Sequence, residues 1–247
     1  MSDKTNTYFI SDLHLGVDLK YSSRERENLV VAWLLSVEHK AKAIYLVGDI
    51  FDHWFEYKRV VPKGYVRLLG TLAKLSDQGV DITFIRGNHD MWVHRYFEEE
   101  IGIKMQSASS IYDIDDKKWY INHGDGLDPS DKSYLFIKKI LRNPYSQRLY
   151  GLVPPRLGLT LMKHTSGESR KVEDEEVVER HRKMIIAAKN IYESEKIDYF
   201  ICGHLHAPTI QALEGFTYCN LGDWMNHFSY GEWDGHQLNI KSFSPEK

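Results

Sequence analysis

The chain has 247 residues, 32 basic against 35 acidic side chains, 42% hydrophobic and 27% charged residues, and a net charge of −3. That length sets a prior of one to two domains and suffices to bury a sizeable core, while the ordinary apolar and charged fractions exclude disordered, collagen-like and low-complexity classes. The slight acidic balance argues against broad nucleic-acid binding, and the longest run without Asp, Glu, Lys or Arg, Tyr199 to Leu213, is too short for a membrane-spanning helix.

In chain order, Tyr8–Ser11 is a short apolar run, and the N-terminal segment holding it has too small an apolar core for a signal peptide, which predicts a cytoplasmic chain. Arg24–Glu38 carries the LVVAWLLSV core of a helix, and Ala43–Val47 reads as a buried strand. Pro62–Ser76 shows Val66, Leu69, Leu72 and Ala73 at helical spacing, with Gly79 in the following turn. Asp81–Ile85 is the next strand, and Ile111–Asp115 and Trp119–Asn122 flank a polar turn at Asp116-Lys117. From about 126 to 170 the rhythm breaks, with Pro144 and Pro154-Pro155 among apolar-aromatic pieces. A charged helix over Val172–Glu195 follows, and its run Arg170–Lys183 reads as a solvated face. A strand at Asp198–Cys202 and short strands to the end, with a hairpin turn at Glu214-Gly215, complete the chain. Cys202 and Cys219 offer no disulfide framework or metal spacing and read as buried free thiols. The alternation predicts one layered α/β domain over 1–247, with a helical insertion at roughly 126–170.

Five strand ends carry polar clusters: Asp12-Leu13-His14, Gly48-Asp49 to Asp52, Gly87-Asn88-His89-Asp90, His123-Gly124-Asp125 and Gly203-His204-Leu205-His206. In extended backbone the two members of each i, i+2 pair, Asp12/His14 and His204/His206, face one side. From Asp12 to Asp49 is 37 residues, to Asn88 another 39 and to His123 another 35, each one strand–helix–strand step. Such steps put every cluster at the carboxyl edge of a sheet, where open α/β folds bind ligands. The next interval, 81 residues to His204, is about one step too long and marks the insertion a second time. Singly, each cluster is also an ordinary turn; five at even spacing are not explained that way.

Asp12, His14, Asp49, Asn88, His123, His204 and His206 offer three oxygen and four nitrogen donors and no thiolate. That is too many for one tetrahedral zinc and fits two divalent cations sharing a carboxylate, with Mn²⁺, Fe²⁺, Co²⁺ and Zn²⁺ all compatible with the donors. A metal pair is the usual device for in-line displacement at phosphorus. Asp52, Asp90 and Asp125 read as carboxylates that orient the ligands. Trp54, Phe55 and Tyr57 read equally as a wall of the site or as core.

The order DxH, GDxxD, GNHD, HGD, GHxH resembles the calcineurin-like metallophosphoesterase superfamily across residues 12 to 206. The resemblance implies a two-sheet sandwich flanked by helices with a dinuclear centre, Mn²⁺ the foremost metal. It further implies one metal on Asp12, His14, Asp49 and His206 and the other on Asp49, Asn88, His123 and His204. Asp49 would bridge, and His89 would stabilise the developing oxyanion or protonate the leaving oxygen. The segments FISDLHLG, VGDIFDHWFEY, HGDGLDPSD and GHLHAPTI are similar to the UDP-2,3-diacylglucosamine pyrophosphatase family of lipid A synthesis. That similarity implies hydrolysis of a UDP-linked glycolipid to UMP and a sugar 1-phosphate, a helical cap for the acyl chains, and peripheral contact with the inner membrane. Asp131, Tyr134, His164, Ser166, Ser169 and Arg170, with Asn88, His89 and His204, match its substrate contacts. One position departs: that family reads GNRD where this chain reads GNHD, with His89 the choice of the wider superfamily. A phosphoesterase of a soluble substrate and a non-catalytic scaffold are the rival readings; the scaffold would be expected to have lost ligands.

Overall fold

The computed structural model describes residues 4–106, 109–158, 160 and 174–244. Strand β1 (Asn6–Ile10) is buried at every position, as a central strand covered on both faces must be. It pairs in parallel with β2 (Ala41–Val47), which pairs in parallel with β3 (Asp81–Ile85), and β4 (Lys104–Gln106) extends that edge. Antiparallel β10 (Ser229–Trp233) and β11 (Leu238–Ser242) close the other side, giving the order β11-β10-β1-β2-β3-β4. A second sheet runs β5 (Ser109–Ile114), β6 (Lys117–Asn122), β7 (Tyr199–Cys202), β9 (Phe216–Asn220) and β8 (Thr209–Leu213).

The parallel pairs need long crossovers, and helices supply them. Helix α1 (Ser23–Val37) links β1 to β2, and α2 (Val66–Asp77) links β2 to β3. The two pack on the outer face of the first sheet through Trp33, Leu34, Leu68 and Leu72. Between the sheets lies a second apolar layer of Phe9, Val47, Trp119, Ile121 and Ile201, where Phe9 stacks on both Tyr45 and Trp119 at 5.3 Å. Each such side chain contributes about 1.5–3 kcal/mol of burial. Past the short α3 (Tyr96–Glu99), α4 (Lys132–Leu141) and α5 (Pro144–Tyr150) lead to α6 (Asp174–Glu195), which covers the second sheet through Met184 and Ala188 against Phe200 and Tyr218. The layers are therefore helix, sheet, sheet, helix, the architecture the resemblance implies.

Several boundaries move for local reasons. Helix α2 begins at Val66 rather than Pro62, because Tyr65 stands at φ 57° and the helix N-terminus is capped from α1, where the buried Glu27 carboxylate accepts from the Arg67 and Leu68 N–H groups. The turn between β5 and β6 falls one residue earlier than expected, on Asp115 and Asp116, both at positive φ as a two-residue hairpin requires. Helix α3 and β4 are too short to announce themselves by periodicity; the Glu56 carboxylate accepts from the His94, Arg95 and Tyr96 N–H groups and so starts α3. Both cysteines are free and buried. No helix among the described residues is long and apolar enough to cross a membrane.

Candidate metal centre

Strands β1, β2, β3, β6 and β7 all end at one edge, and the loop after each carries one of the five polar clusters. Backbone bonds tie neighbouring loops together within each sheet. The Asp12 N–H donates to the Gly48 carbonyl at 3.1 Å, and the Gly203 N–H to the His123 carbonyl at 2.8 Å. From α1 the fully buried Arg26 guanidinium donates to the carbonyls of Leu13, His14, Val17 and Tyr21, pinning the loop after β1.

The extended i, i+2 geometry expected for the paired residues is not what the chain adopts. Asp12, His14, Asp49, His204 and His206 all stand in the left-handed region, at φ 55°, 44°, 53°, 70° and 57°. They lie past the strand ends, and these turns aim the side chains back over the sheet edge. Non-glycine residues in this region cost roughly 1–2 kcal/mol each and cluster at functional sites.

The result is convergence. The His206 Nε2 lies 3.1 Å from Asp12 Oδ1 and 3.3 Å from His14 Nε2; His14 Nε2 lies 3.7 Å from Asp49 Oδ2, and His123 Nε2 3.2 Å from that same Asp49 oxygen. Among the described residues, three groups have donor atoms close enough to hold a cation: Asp12, His14 and His206; His14, Asp49 and His89; and Asp49, His123 and His204. Asp49 is common to the last two and stands between the ends of the constellation.

Each carboxylate is split by function. The Asp12 Oδ2 accepts from the His204 N–H at 2.9 Å, and Asp49 Oδ1 from the His89 N–H at 2.8 Å, while the other oxygen of each faces imidazole nitrogens. Close backbone approach makes this possible: a Cβ on Gly203 would run into the Asp12 carboxylate, and one on Gly87 into that of Asp49. His123 Nδ1 donates to the Val47 carbonyl at 2.9 Å, leaving Nε2 to face Asp49.

The donor set fits divalent metal ions. Asp12 Oδ1, Asn88 Oδ1 and His123 Nε2 are buried without a hydrogen-bond partner, an arrangement that native interiors avoid unless something else satisfies the atoms. The electrostatics agree. Burial alone would raise the Asp12 and Asp49 carboxyls, yet the surrounding imidazoles hold both well below the ordinary carboxylate range. Burial alone would lower His14 and His123, yet the carboxylates raise His14 to about 9 and His123 well above its usual value. The same negative field favours a cation in place of those protons. His204, by contrast, is pushed by burial and the His123 charge down to about 4, so its ring is neutral and ready to ligate.

The supporting carboxylates divide in a way the sequence does not distinguish. Asp52 Oδ1 approaches His14 Nδ1 at 3.5 Å and His89 Nδ1 at 3.6 Å, and its carbonyl accepts from His89 Nδ1 at 3.0 Å, so it does orient these rings. Asp90 instead accepts from the backbone N–H groups of Gly87 and Ile50, and holds loops rather than side chains. Burial and the Asp49 charge raise its carboxyl to about 7. Asp125 takes Lys138 and Tyr134 from α4 and Arg142 from its C-cap, and makes no hydrogen bond to an imidazole of the cluster. Trp54 is core, packed on Phe51 and Phe97, and Phe55 packs on Trp92 and Tyr150.

A cavity of about 550 Å³ opens above the centre, lined by His14, Asp49, Asn88, His89, His204 and His206 on its floor and by Asp131 and Tyr134 on one wall. Asp131 also caps α4, accepting from the Tyr134 N–H at 2.9 Å. His164, Ser166, Ser169 and Arg170 lie outside the described residues. Helix α6 lines the cavity as well, through Glu179, Arg180 and Lys183, with Lys183 paired to Asp128 at 2.9 Å. Of the run expected to be a solvated face, the described part is largely exposed at Val178, Glu179 and Arg182, and Arg180 is the member that turns inward. Arg180, Met184 and Ala188 follow one another at four-residue intervals, and the buried Met184 and Ala188 put Arg180 on the inner face.

A family model described as calcineurin-like phosphoesterase matches residues 5–208. The UDP-2,3-diacylglucosamine hydrolase of Porphyromonas gingivalis is 36% identical over 97% of this chain and 98% of its own. The protein of that name from Neisseria gonorrhoeae is 30% identical over 90% of this chain and 91% of its own. A solved structure described as a novel archaeal phosphodiesterase covers 96% of this chain and 99% of its own at 12% identity and TM-score 0.49. The family fold implies divalent metal ions, in keeping with the His/Asp clusters at the strand ends. With four-fifths of its length matched and a relative 36% identical over nearly its whole length, the chain belongs to the calcineurin-like phosphoesterase family.

Proposed function

We propose that this chain is a dinuclear-metal hydrolase that cleaves the pyrophosphate bond of UDP-2,3-diacylglucosamine to UMP and 2,3-diacylglucosamine 1-phosphate. The observation that carries the hydrolase reading is Asp49, with one oxygen anchored by the His89 N–H and the other facing the rings of His14 and His123. The substrate reading is supported by the relatives named for that activity, which align over nearly the whole chain.

Asp12, His14, Asp49 and His206 would hold one ion, and Asp49, Asn88, His123 and His204 the other, with Mn²⁺ the foremost candidate. Bound there, the ions supply Lewis-acid activation of water and neutralise phosphoryl charge. The chain's own residues do the rest. Since His89 Nδ1 meets the Asp52 carbonyl, that nitrogen carries the proton, and Nε2 donates only when the ring is doubly protonated. Burial lowers the His89 pKa and favours the neutral ring, and a second proton taken from solvent as a phosphoryl anion enters beside it would make Nε2 a donor. His89 then stabilises the charge developing on phosphoryl oxygen, or gives a proton to the bridging oxygen as it leaves. Asp131 and Tyr134 on one wall would contact the glycolipid headgroup.

The inserted segment would act as a cap for acyl chains and as a peripheral contact with the cytoplasmic face of the inner membrane. Phe136, Ile137 and Ile140 on α4 and Tyr145 and Leu149 on α5 are exposed beside the cavity wall, interleaved with Lys139 and Arg148, which suits an anionic lipid surface. The test is UMP release from UDP-2,3-diacylglucosamine in detergent by Mn²⁺-loaded protein, against bis-p-nitrophenyl phosphate and UDP-N-acetylglucosamine. Acyl-dependent UMP release is expected. Activity on the soluble diester alone would keep the hydrolase and discard the lipid substrate; no activity on any of the three, with metal bound, would favour a scaffold.

A further inference from the structure

Helix α4 is held to the body the wrong way round for an amphipathic helix. Its apolar residues Phe136, Ile137 and Ile140 are exposed, at 65%, 54% and 45%, while Leu135 and Leu141 are only half-buried and none of its residues is fully buried. An ordinary surface helix turns that stripe inward. Here the inward stripe is Tyr134, Lys138 and the C-cap Arg142, spaced four apart and therefore aligned on one face. All three reach a single oxygen. Tyr134 Oη donates to Asp125 Oδ2 at 3.0 Å, Lys138 Nζ lies 2.6 Å from it, and Arg142 Nη2 3.6 Å. Lys138 also donates to the Asp125 carbonyl at 2.6 Å.

Asp125 is buried and follows His123 by two residues, in a loop whose other side is tied to the centre by the Gly203 N–H to His123 carbonyl bond. One carboxylate thus joins the metal-side loop to the helix that carries Asp131 and Tyr134 along the cavity wall. Besides this contact, α4 is tied to the body by the Trp92 Nε1–H, which donates to the Leu141 carbonyl at the helix end.

We propose that Asp125 is a positioning residue: it latches α4 over the cavity through Lys138, Tyr134 and Arg142, and so sets the wall that a lipid-linked substrate meets. The substrate half of this inference rests on the proposed function; the latch does not. Without the carboxylate, the cationic stripe loses its counter-charge, and the half-buried Leu135 and Leu141 are left as the apolar contacts that hold the helix in register.

The test compares Asp125→Asn, Lys138→Met and Lys138→Arg in the full-length, Mn²⁺-loaded chain. Amide hydrogen exchange over residues 132–142 is expected to quicken about tenfold or more in Asp125→Asn and Lys138→Met, and to stay slow in the charge-keeping Lys138→Arg. In Lys138→Met, KM for UDP-2,3-diacylglucosamine is expected to rise about tenfold with kcat within twofold, while hydrolysis of bis-p-nitrophenyl phosphate is unchanged. Wild-type exchange in α4 of both Asp125→Asn and Lys138→Met would overturn the latch. So would loss of Mn²⁺ from Asp125→Asn with α4 still protected, since Asp125 would then serve the centre. If Asp125→Asn does not fold, Lys138→Met decides alone. A wild-type enzyme inactive on the glycolipid would sink the functional reading, and the exchange data would still judge the latch.

Discussion

Replacing Arg26 by Met tests whether the loop holding Asp12 and His14 is built from outside itself. The guanidinium donates at 3.2, 2.8, 2.7 and 2.5 Å to the carbonyls of Leu13, His14, Val17 and Tyr21, and the residue is fully buried. Methionine keeps most of the aliphatic packing, so the loss is almost purely polar. The Leu13 and His14 carbonyls are reached through buried bonds, whereas those of Val17 and Tyr21 are reached nearer the surface and can take water instead. Each buried acceptor left without a partner costs about 1–3 kcal/mol. Release from burying the guanidinium offsets part of that, leaving a net cost of about 3–4 kcal/mol. For a chain of this size each kcal/mol moves Tm by about 2–4 °C, so Arg26→Met should melt roughly 10 °C lower. The melt is run in EDTA, because bound metal would stabilise the native state by mass action and mask the difference. Mn²⁺ affinity, read by titration calorimetry, should fall at least tenfold, since the loop it loosens aims both Asp12 and His14. A variant that melts within about 3 °C of wild type and binds Mn²⁺ equally well would refute the reasoning.

His89→Ala should lower kcat by about 10²–10³, the usual cost of one transition-state donor, while metal content by atomic absorption stays at the wild-type value. The geometry also lets His89 join His14 and Asp49 around a cation, so a variant that loses metal would make it a ligand. Cys202 and Cys219 should resist alkylation at pH 8 in the native protein and react only on unfolding. Burial raises the Cys202 thiol to about 12 and Cys219 well above its usual value, so the reactive thiolate is scarce at that pH. Rapid native labelling by iodoacetamide, followed by mass spectrometry, would contradict their burial.

Much of the fold was legible because burial imposes a period. The run AIYLV had to be a covered strand, and the even spacing of polar strand ends put the loops of β1, β2, β3 and β6 on one edge. Three things stayed hidden, each because it depends on contacts between distant residues. The start of α2 is set by a carboxylate 40 residues upstream, at Glu27, where local reading saw only Pro62. Arg180 lies in a run of charges that looks solvated until Met184 and Ala188 fix which way α6 faces. The role of Asp125 is invisible in HGD itself, since its partners Tyr134, Lys138 and Arg142 become one cluster only when α4 forms and turns its polar stripe inward.

The convergence of the Asp and His side chains at the strand ends was expected, but the route to it was not, and the route explains more. Extended strands would have delivered Asp12 and His14 on one side at no backbone cost. The chain instead accepts five left-handed turns at non-glycine residues. What it gains is that the backbone N–H groups of His204 and His89 fall within reach of Asp12 Oδ2 and Asp49 Oδ1, provided Gly203 and Gly87 let the chains approach. Half of each carboxylate is then fixed before any cation arrives, and only the other half remains to bind. Preorganisation of this kind spares the site the cost of ordering its ligands on binding. The strain stored in the turns is matched by bonds between loops of different strands, so the centre stands only when both sheets are in place.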